Sequence, residues 1–352
     1  VKAPVRVMIV EDSAVVRHLL AHIVARDPRL ALVAAVGSAE EALQELPRVK
    51  PDVISMDIRL PGMDGLEATR RIMAEQPTPI VVIADSVEDD SLRISMNALR
   101  AGALSVVEKP VGVATAGYDA LADHICTQLF IMSDVPLIRR RDIGTRLSPR
   151  PPGPPLALPD RPALIGIAAS TGGPQALAKL LGALPADFPV PILLVQHMGA
   201  AFMEGFAAWL DGVVPPKVAL AQEGEVPQPG RVHVAPGDQH LRIGPDRTLR
   251  LTRDPPVGGQ RPAATAMFHS IAEVYGSSGS GIILTGMGED GARGLVALRR
   301  QGGLTITEDE STAVVFGMPA AAVRLGGSSL SLPLPLIAPR VLRLVQGGRP
   351  AG

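Results

Sequence analysis

Seven prolines fall between Arg139 and Pro162, at Pro149, Pro151, Pro152, Pro154, Pro155, Pro159 and Pro162. Proline has no backbone N–H and a fixed φ, so neither a helix interior nor a central strand can run through this stretch. The chain is therefore cut into two units, each closing its own core, joined by an extended, semi-rigid connector. Its 352 residues suffice for two such cores. Arg139, Arg140 and Arg141 open the connector; they read as solvated, with docking on an acidic surface as the alternative.

On both sides of the connector, short apolar runs alternate with stretches whose apolar residues recur at helical spacing. In the first half residues 5–10, 30–36, 53–56, 80–84 and 105–107 read as strands, and 14–25, 39–46, 66–75, 92–100 and 111–132 as helices. In the second half the expected strands are 163–168, 191–196, 231–235, 281–285 and 303–307, with helices over 174–184, 202–210, 263–275 and 291–301. Continuously apolar strands are buried on both faces, which implies parallel sheets flanked by helices. Residues 241–251 instead alternate around Gly244-Pro245-Asp246, predicting a hairpin inserted in the sheet order. The fold expected is α/β, with two doubly wound parallel-sheet domains at 1–134 and 163–352 and the connector at 135–162.

A formal net charge of −1 gives no reason to expect nucleic acid as a partner. The single cysteine, Cys126, excludes an internal disulfide framework and lies in a helical pattern, so it reads as a packed apolar residue. No apolar run approaches the roughly 20 residues that span a bilayer, and Val1-Lys2-Ala3-Pro4 leads into a strand rather than a signal peptide. The expectation is a soluble, cytoplasmic protein.

Ile167-Ala168-Ala169-Ser170-Thr171-Gly172-Gly173-Pro174 sets one serine where a strand turns into a helix. A serine hydroxyl attacks at neutral pH only with a base in reach and N–H groups awaiting the oxyanion. Leu193-Leu194-Val195-Gln196-His197-Met198 ends an apolar strand on a histidine, and Leu284 to Gly291 ends another on a glycine-rich turn carrying Asp290. Ser170, His197 and Asp290 thus each follow a strand, in an order unlike those of α/β-hydrolases, chymotrypsin-like proteases or subtilisins. Ala168 also stands where a G-x-S-x-G elbow needs its first glycine. A serine hydrolase on a different doubly wound scaffold is the reading that remains. His233, His240 and His269 lack metal-ligand spacing; His233 reads as structural or solvated, and His269 as packed or lining the site.

In the first half Glu11 and Asp12 follow the first strand and Asp57 the third, so a parallel sheet brings all three to its C-terminal edge. Three converging carboxylates suit a hard divalent cation such as Mg²⁺, and Lys109 reaches the same edge as a positive counterpart. The cluster is built to accept phosphate.

Glu11-Asp12-Ser13, Asp57 to Gly65 and Glu108-Lys109-Pro110 resemble the receiver domain of two-component response regulators, which is flavodoxin-like. The resemblance implies Asp57 as phospho-acceptor, Glu11, Asp12 and Asp57 as the metal ligands with a backbone carbonyl near Arg59, and Lys109 as the phosphoryl contact. One departure stands out: Ala84 occupies the place of the receiver's Ser or Thr, with Asp85 and Ser86 next. In the second half Ala169 to Gly173, Gln196-His197-Met198, Val234 to Asp238, Phe268-His269-Ser270, Leu284 to Gly291 and Phe316-Gly317-Met318-Pro319 resemble the catalytic domain of chemotaxis protein-glutamate methylesterases, the CheB family.

That resemblance implies a Rossmann-like catalytic domain, needing no cofactor, in which Ser170 attacks a glutamyl methyl ester on a chemoreceptor. His197 would be the base, Asp290 would orient it, and the Thr171 and Met287 N–H groups would hold the oxyanion. Methanol would leave; a glutamine amide would be hydrolysed in the same way. It implies a chemotaxis histidine kinase as phosphodonor, methyl-accepting chemoreceptors as substrates, and no membrane insertion. In the family the receiver covers the esterase cleft until it is phosphorylated. Met318 and Pro319 are expected to shape the cleft without chemistry. The competing readings are a non-enzymatic regulator with the triad-like domain as scaffold, and a generic small-ester hydrolase under receiver control.

Overall fold

A computed structural model describes residues 3–84, 98, 101–110, 118–133 and 162–346. The connector up to residue 161 lies outside the described residues, as do Asp85 and Ser86, the helix expected over 92–100 apart from Ala98, and residues 111–117.

The first half is a five-stranded sheet of β1 (Val5–Val10), β2 (Leu30–Val36), β3 (Val53–Met56), β4 (Ile80–Ala84) and β5 (Ser105–Glu108). The strand order is β2-β1-β3-β4-β5 and every pairing is parallel. Three helices begin on side-chain caps: Ser13, Ser38 and Asp64 accept from the N–H groups of Val16, Glu41 and Glu67, which starts the helices Ala14–Arg26, Ala39–Val49 and Gly65–Glu75. A fourth helix, Tyr118–Met132, buries Ile125, Cys126 and Leu129. Cys126 is packed as expected: its Sγ meets Ile23 O at 3.5 Å, and burial pushes the thiol up to about 11. The strand order reverses between β1 and β3, which opens the ligand crevice of such a sheet there.

The second half is built on a seven-stranded sheet of β6 (Leu164–Ala169), β7 (Ile192–Gln196), β8 (Lys217–Leu220), β9 (Arg231–Val234), β12 (Gly279–Ile283), β13 (Leu304–Glu308) and β14 (Leu330–Leu332), all parallel, in the order β14-β13-β12-β6-β7-β9-β8. The hairpin, β10 (His240–Ile243) and β11 (Leu249–Thr252), is antiparallel but stands outside this sheet as a two-stranded sheet of its own. The expected hairpin is present, inserted in chain order between β9 and β12. A strand within a doubly wound sheet is covered on both faces, whereas the hairpin buries Leu241, Ile243 and Leu249 against Met267, Phe268 and Ile271 of the helix Ala264–Tyr275 and leaves Arg242 and Arg250 partly outside. Ser270 Oγ accepts the Ile243 N–H at 3.0 Å.

His233 is structural: fully buried, with Nε2 accepting from the Gln228 N–H and Nδ1 3.3 Å from Glu225 Oε2. His240, also fully buried, accepts the Ala263 N–H on Nδ1 and donates from Nε2 to Pro255 O. His269 corrects its expectation. It is exposed, because its helix turns Ala266, Met267, Phe268, Ser270, Ile271 and Ala272 inward and leaves His269 outside.

The halves meet across the C-terminal edge of the second sheet. Gln128 Nε2 donates to Thr171 Oγ1 at 3.3 Å, and Gln175 Nε2 to Ala103 O at 3.0 Å. Between them lies a cleft of about 290 Å³, with Val106, Glu108 and His124 on one wall and Ser170, His197 and Phe202 on the other. No described helix is long and apolar enough to cross a membrane.

Candidate active site

In the second sheet β6 and β12 are neighbours at the point where the chain reverses its direction of winding, the usual place for a ligand crevice. Ser170 follows β6, His197 follows β7 and the loop from Leu284 to Gly291 follows β12. Backbone bonds lock these turns together: the Ser170 N–H donates to Thr285 O and the His197 N–H to Ala169 O, both at 3.0 Å. His197 Nε2 lies 2.9 Å from Asp290 Oδ2. With its proton on Nε2, the ring keeps an unprotonated Nδ1, the atom able to act as base. Ser170 lines the same cleft; among the described residues no hydrogen bond joins its hydroxyl to the ring.

Asp290 is held at the N-terminus of the helix Ala264–Tyr275. Oδ2 accepts from the Ala264 N–H at 2.6 Å as well as from His197, and Oδ1 accepts from the Thr265 and Gly291 N–H groups at 3.0 and 2.8 Å. Burial works to raise its pKa, but the His197 bond and charge and the Thr265 bonds outweigh it and hold the carboxyl below the usual aspartate range. Free N–H groups at a helix start favour an anion there. These donors are backbone groups, so no residue type in the sequence announced them.

The N–H groups of Thr171 and Met287 donate to no acceptor among the described residues. The loop carrying Met287 reaches Ser170 because residue 286 has no side chain: a Cβ on Gly286 would stand 2.8 Å from Ser170 Cβ and collide with Met318 Sδ. Three further residues join this frame. Thr285 Oγ1 donates to Thr171 O and accepts from the Val315 N–H, both at 2.9 Å. Glu308, fully buried at the end of β13, accepts the Thr285 N–H at 2.8 Å, and burial pushes its pKa upward. Gln196 bridges the serine and histidine turns. Thr285 and Gln196 lie in the same segments as Asp290 and His197, and nothing in their residue type marks the bonds they make; Glu308 reads in sequence as an ordinary strand-end carboxylate.

In the first half, ligand atoms of Glu11, Asp12 and Asp57 lie within 4.8 Å of one another. Lys109 Nζ is 2.9 Å from Asp57 Oδ2 and 3.1 Å from Glu11 Oε2. Burial, then the Asp57 charge, push Glu11 up to about 7 in spite of Lys109, and burial also raises Asp57. Two buried carboxylates and an exposed third, with so little compensating charge, form a donor set that fits a divalent cation. Ala84 ends β4, and its carbonyl accepts the Lys109 N–H at 3.0 Å.

An acid crevice beside a lysine in one parallel sheet, and a serine, histidine and aspartate on three strand ends of another, define a receiver joined to a domain with a hydrolase-type cleft. Residues 165–341 match the CheB methylesterase family and residues 7–116 the response regulator receiver domain. The chain is 53% identical to protein-glutamate methylesterase/protein-glutamine glutaminase 2 of Paramagnetospirillum magneticum, over 98% of each chain. It is 44% identical to protein-glutamate methylesterase/protein-glutamine glutaminase 4 of Myxococcus xanthus, again over 98% of each. The crystal structure of the Thermotoga maritima CheB methylesterase catalytic domain matches at 37% identity with a TM-score of 0.51, covering 52% of this chain and 99% of that one. The chain belongs to the CheB family of receiver-linked protein-glutamate methylesterases/protein-glutamine glutaminases.

Proposed function

We propose that this protein hydrolyses glutamyl methyl esters, and deamidates glutamines, on methyl-accepting chemoreceptors in the cytoplasm, under control of phosphorylation at Asp57. The observation that carries this reading is the 2.9 Å bond of His197 Nε2 to Asp290 Oδ2 in the cleft that Ser170 lines. Ser170 Oγ attacks the γ-carbonyl while His197 Nδ1 takes its proton. The tetrahedral oxyanion is received by the Thr171 and Met287 N–H groups. His197 then gives the proton to the leaving group, the methoxide oxygen of an ester, which departs as methanol, or the amide nitrogen of a glutamine, which departs as ammonia, leaving a glutamyl-serine ester. Water attacks that ester with His197 again as base, releasing the glutamate and restoring Ser170. Asp290 keeps the proton on Nε2 and stabilises the ring when it is charged.

In the receiver, Glu11, Asp12 and Asp57 would hold Mg²⁺, which offsets the charge of an entering phosphoryl group. Asp57 takes the phosphoryl from a histidine of the chemotaxis kinase: the P–N bond breaks as the carboxyl O–P bond forms, and Lys109 contacts the new oxygens. The added charge alters the face that includes β5 and loosens its hold on the cleft. The domain division belongs to the same proposal, with a receiver at 1–134, a connector at 135–162 and the esterase at 163–352.

Methanol release from methylated chemoreceptors, with and without a small-molecule phosphodonor, tests the reading. Release is expected to rise with phosphodonor, and Asp57→Asn to abolish the rise but keep the basal rate; no release in either condition would sink it. The Gln128 contact gives a second test of control. Its hydrogen bond to Thr171 contributes about 1 kcal/mol, equivalent to about five-fold in the open population. Gln128→Ala is therefore expected to raise phosphodonor-free release by about two- to five-fold; an unchanged rate would show that this contact does not hold the cleft shut.

A further inference from the structure

Gln196 ends β7, only 1% exposed, between the serine turn and the histidine turn. Its Nε2 donates to Ser170 O and to His197 O, both at 2.9 Å. Two carbonyls facing one end of the amide fix that end as the NH₂. The opposite oxygen lies against residue 173, where any Cβ would run into it, so the second glycine after Ser170-Thr171 is the residue that admits this amide.

Ser170 O accepts a second bond, from the Gly173 N–H at 2.8 Å. A trans peptide is planar, so the Ser170 carbonyl and the Thr171 N–H point in opposite directions from one rigid plate. Pinning the oxygen with two donors therefore fixes the aim of the N–H, which itself has no acceptor among the described residues. The facing loop is set in the same manner: Gly286 O accepts from the Gly317 and Met318 N–H groups at 3.1 and 2.8 Å, which fixes the plate that ends in the Met287 N–H. This gives the Gly317-Met318 segment a use beyond shaping the cleft.

We propose that Gln196 is a positioning residue that aims the Thr171 N–H as an oxyanion donor and holds Ser170 and His197 in register, an inference that rests on the serine-nucleophile reading above. A donor that is mis-aimed loses its hold on the tetrahedral oxyanion more than on the ground-state ester, so the effect falls on kcat rather than KM. Gln196→Met keeps the length of the side chain and removes both bonds; Gln196→Glu keeps the shape and turns a carboxylate toward two carbonyls.

In the full-length protein with phosphodonor, Gln196→Met is expected to lower kcat for methanol release by about 10- to 100-fold, somewhat less than outright loss of an oxyanion donor, with KM within about two-fold of wild type. Phosphonylation of Ser170 by a fluorophosphonate, followed by intact mass, is expected to slow by a similar factor, because it passes through a like oxyanion. Wild-type kcat and labelling rate in Gln196→Met would overturn the proposal while leaving the serine reading in place. A loss confined to KM and thermal midpoint would overturn it as well, since that is the mark of packing alone. If Gln196→Met does not fold, Gln196→Glu read in the same two assays decides, and failure of both to fold makes the residue structural. No label on Ser170 in the wild type would bring down the nucleophile assignment and this inference together.

Discussion

Ser170→Ala will cut methanol release by at least about 10⁴-fold, since removal of the nucleophile of a triad leaves only the contribution of the oxyanion site and of binding. The same substitution will leave stability nearly untouched. The Ser170 hydroxyl makes no described hydrogen bond, so its loss orphans nothing, and the turn is held by backbone bonds from Ser170 N–H to Thr285 O and from Gly173 N–H to Ser170 O. A shift in stability within about 0.5 kcal/mol is expected. Methanol release and thermal unfolding on one preparation check both halves. A variant that stays folded and still releases methanol at a tenth of the wild-type rate or faster would remove Ser170 from the chemistry.

Asp290→Asn should damage activity and stability together. The carboxylate collects bonds from His197 Nε2 and from the N–H groups of Ala264, Thr265 and Gly291. An asparagine supplies one oxygen for four donors. Whichever way the amide is turned, its NH₂ faces either Thr265 and Gly291 or Ala264 and His197. In the second orientation the ring must accept on Nε2 and carry its proton on Nδ1, the atom that should be free to act as base. A fall in kcat of about 10⁴-fold is expected from the wrong tautomer. The buried N–H groups left facing a donor cost about 1–3 kcal/mol of stability.

The linkage has a definite sign. The pKa of Asp290 is lowered in the folded chain, so its contribution to stability is complete above the ordinary aspartate value. It is lost as pH falls from there through the depressed folded value. The wild type should show this acid limb and the Asn variant should lack it. Urea unfolding of both proteins at a series of acid pH values makes the comparison; equal slopes would mean that the four bonds do not favour the charged form.

One residue joins the contact between the halves to the proposed oxyanion site. Thr171 receives Gln128 of the receiver on its hydroxyl, while its N–H is the proposed oxyanion donor. Moving the helix Tyr118–Met132 away from the second sheet would uncover the cleft without remaking the turns that carry Ser170 and His197. Those turns are held by bonds within their own half, through Gln196, Thr285 and Glu308.

The central strands were legible because burial on both faces demands unbroken apolar runs, which few other structures produce. Elements at the margins were not. β8 and β14 are short edge strands of four and three residues, partly exposed, and their patterns carry no clear period. The helix Leu334–Val345 has Pro335 in its first turn and Pro339 inside, so proline reads as a break where packing of Ile337, Ala338, Val341 and Leu344 sustains a helix. The alternation over 241–251 predicts the pairing of two strands, but it says only that one face is buried. It does not say whether a sheet or a helix covers that face.

Residue order alone placed Ser170, His197 and Asp290 after strands of one sheet and the three acids after strands of the other, and a parallel sheet brings such ends to one edge of its own. The sequence determined which groups share each edge. Only the tertiary structure decided their aim. The donors around Asp290 and the plates that carry the Thr171 and Met287 N–H groups are backbone, the same at every residue type, and the direction in which a backbone group points is set by the packing of elements distant in the chain.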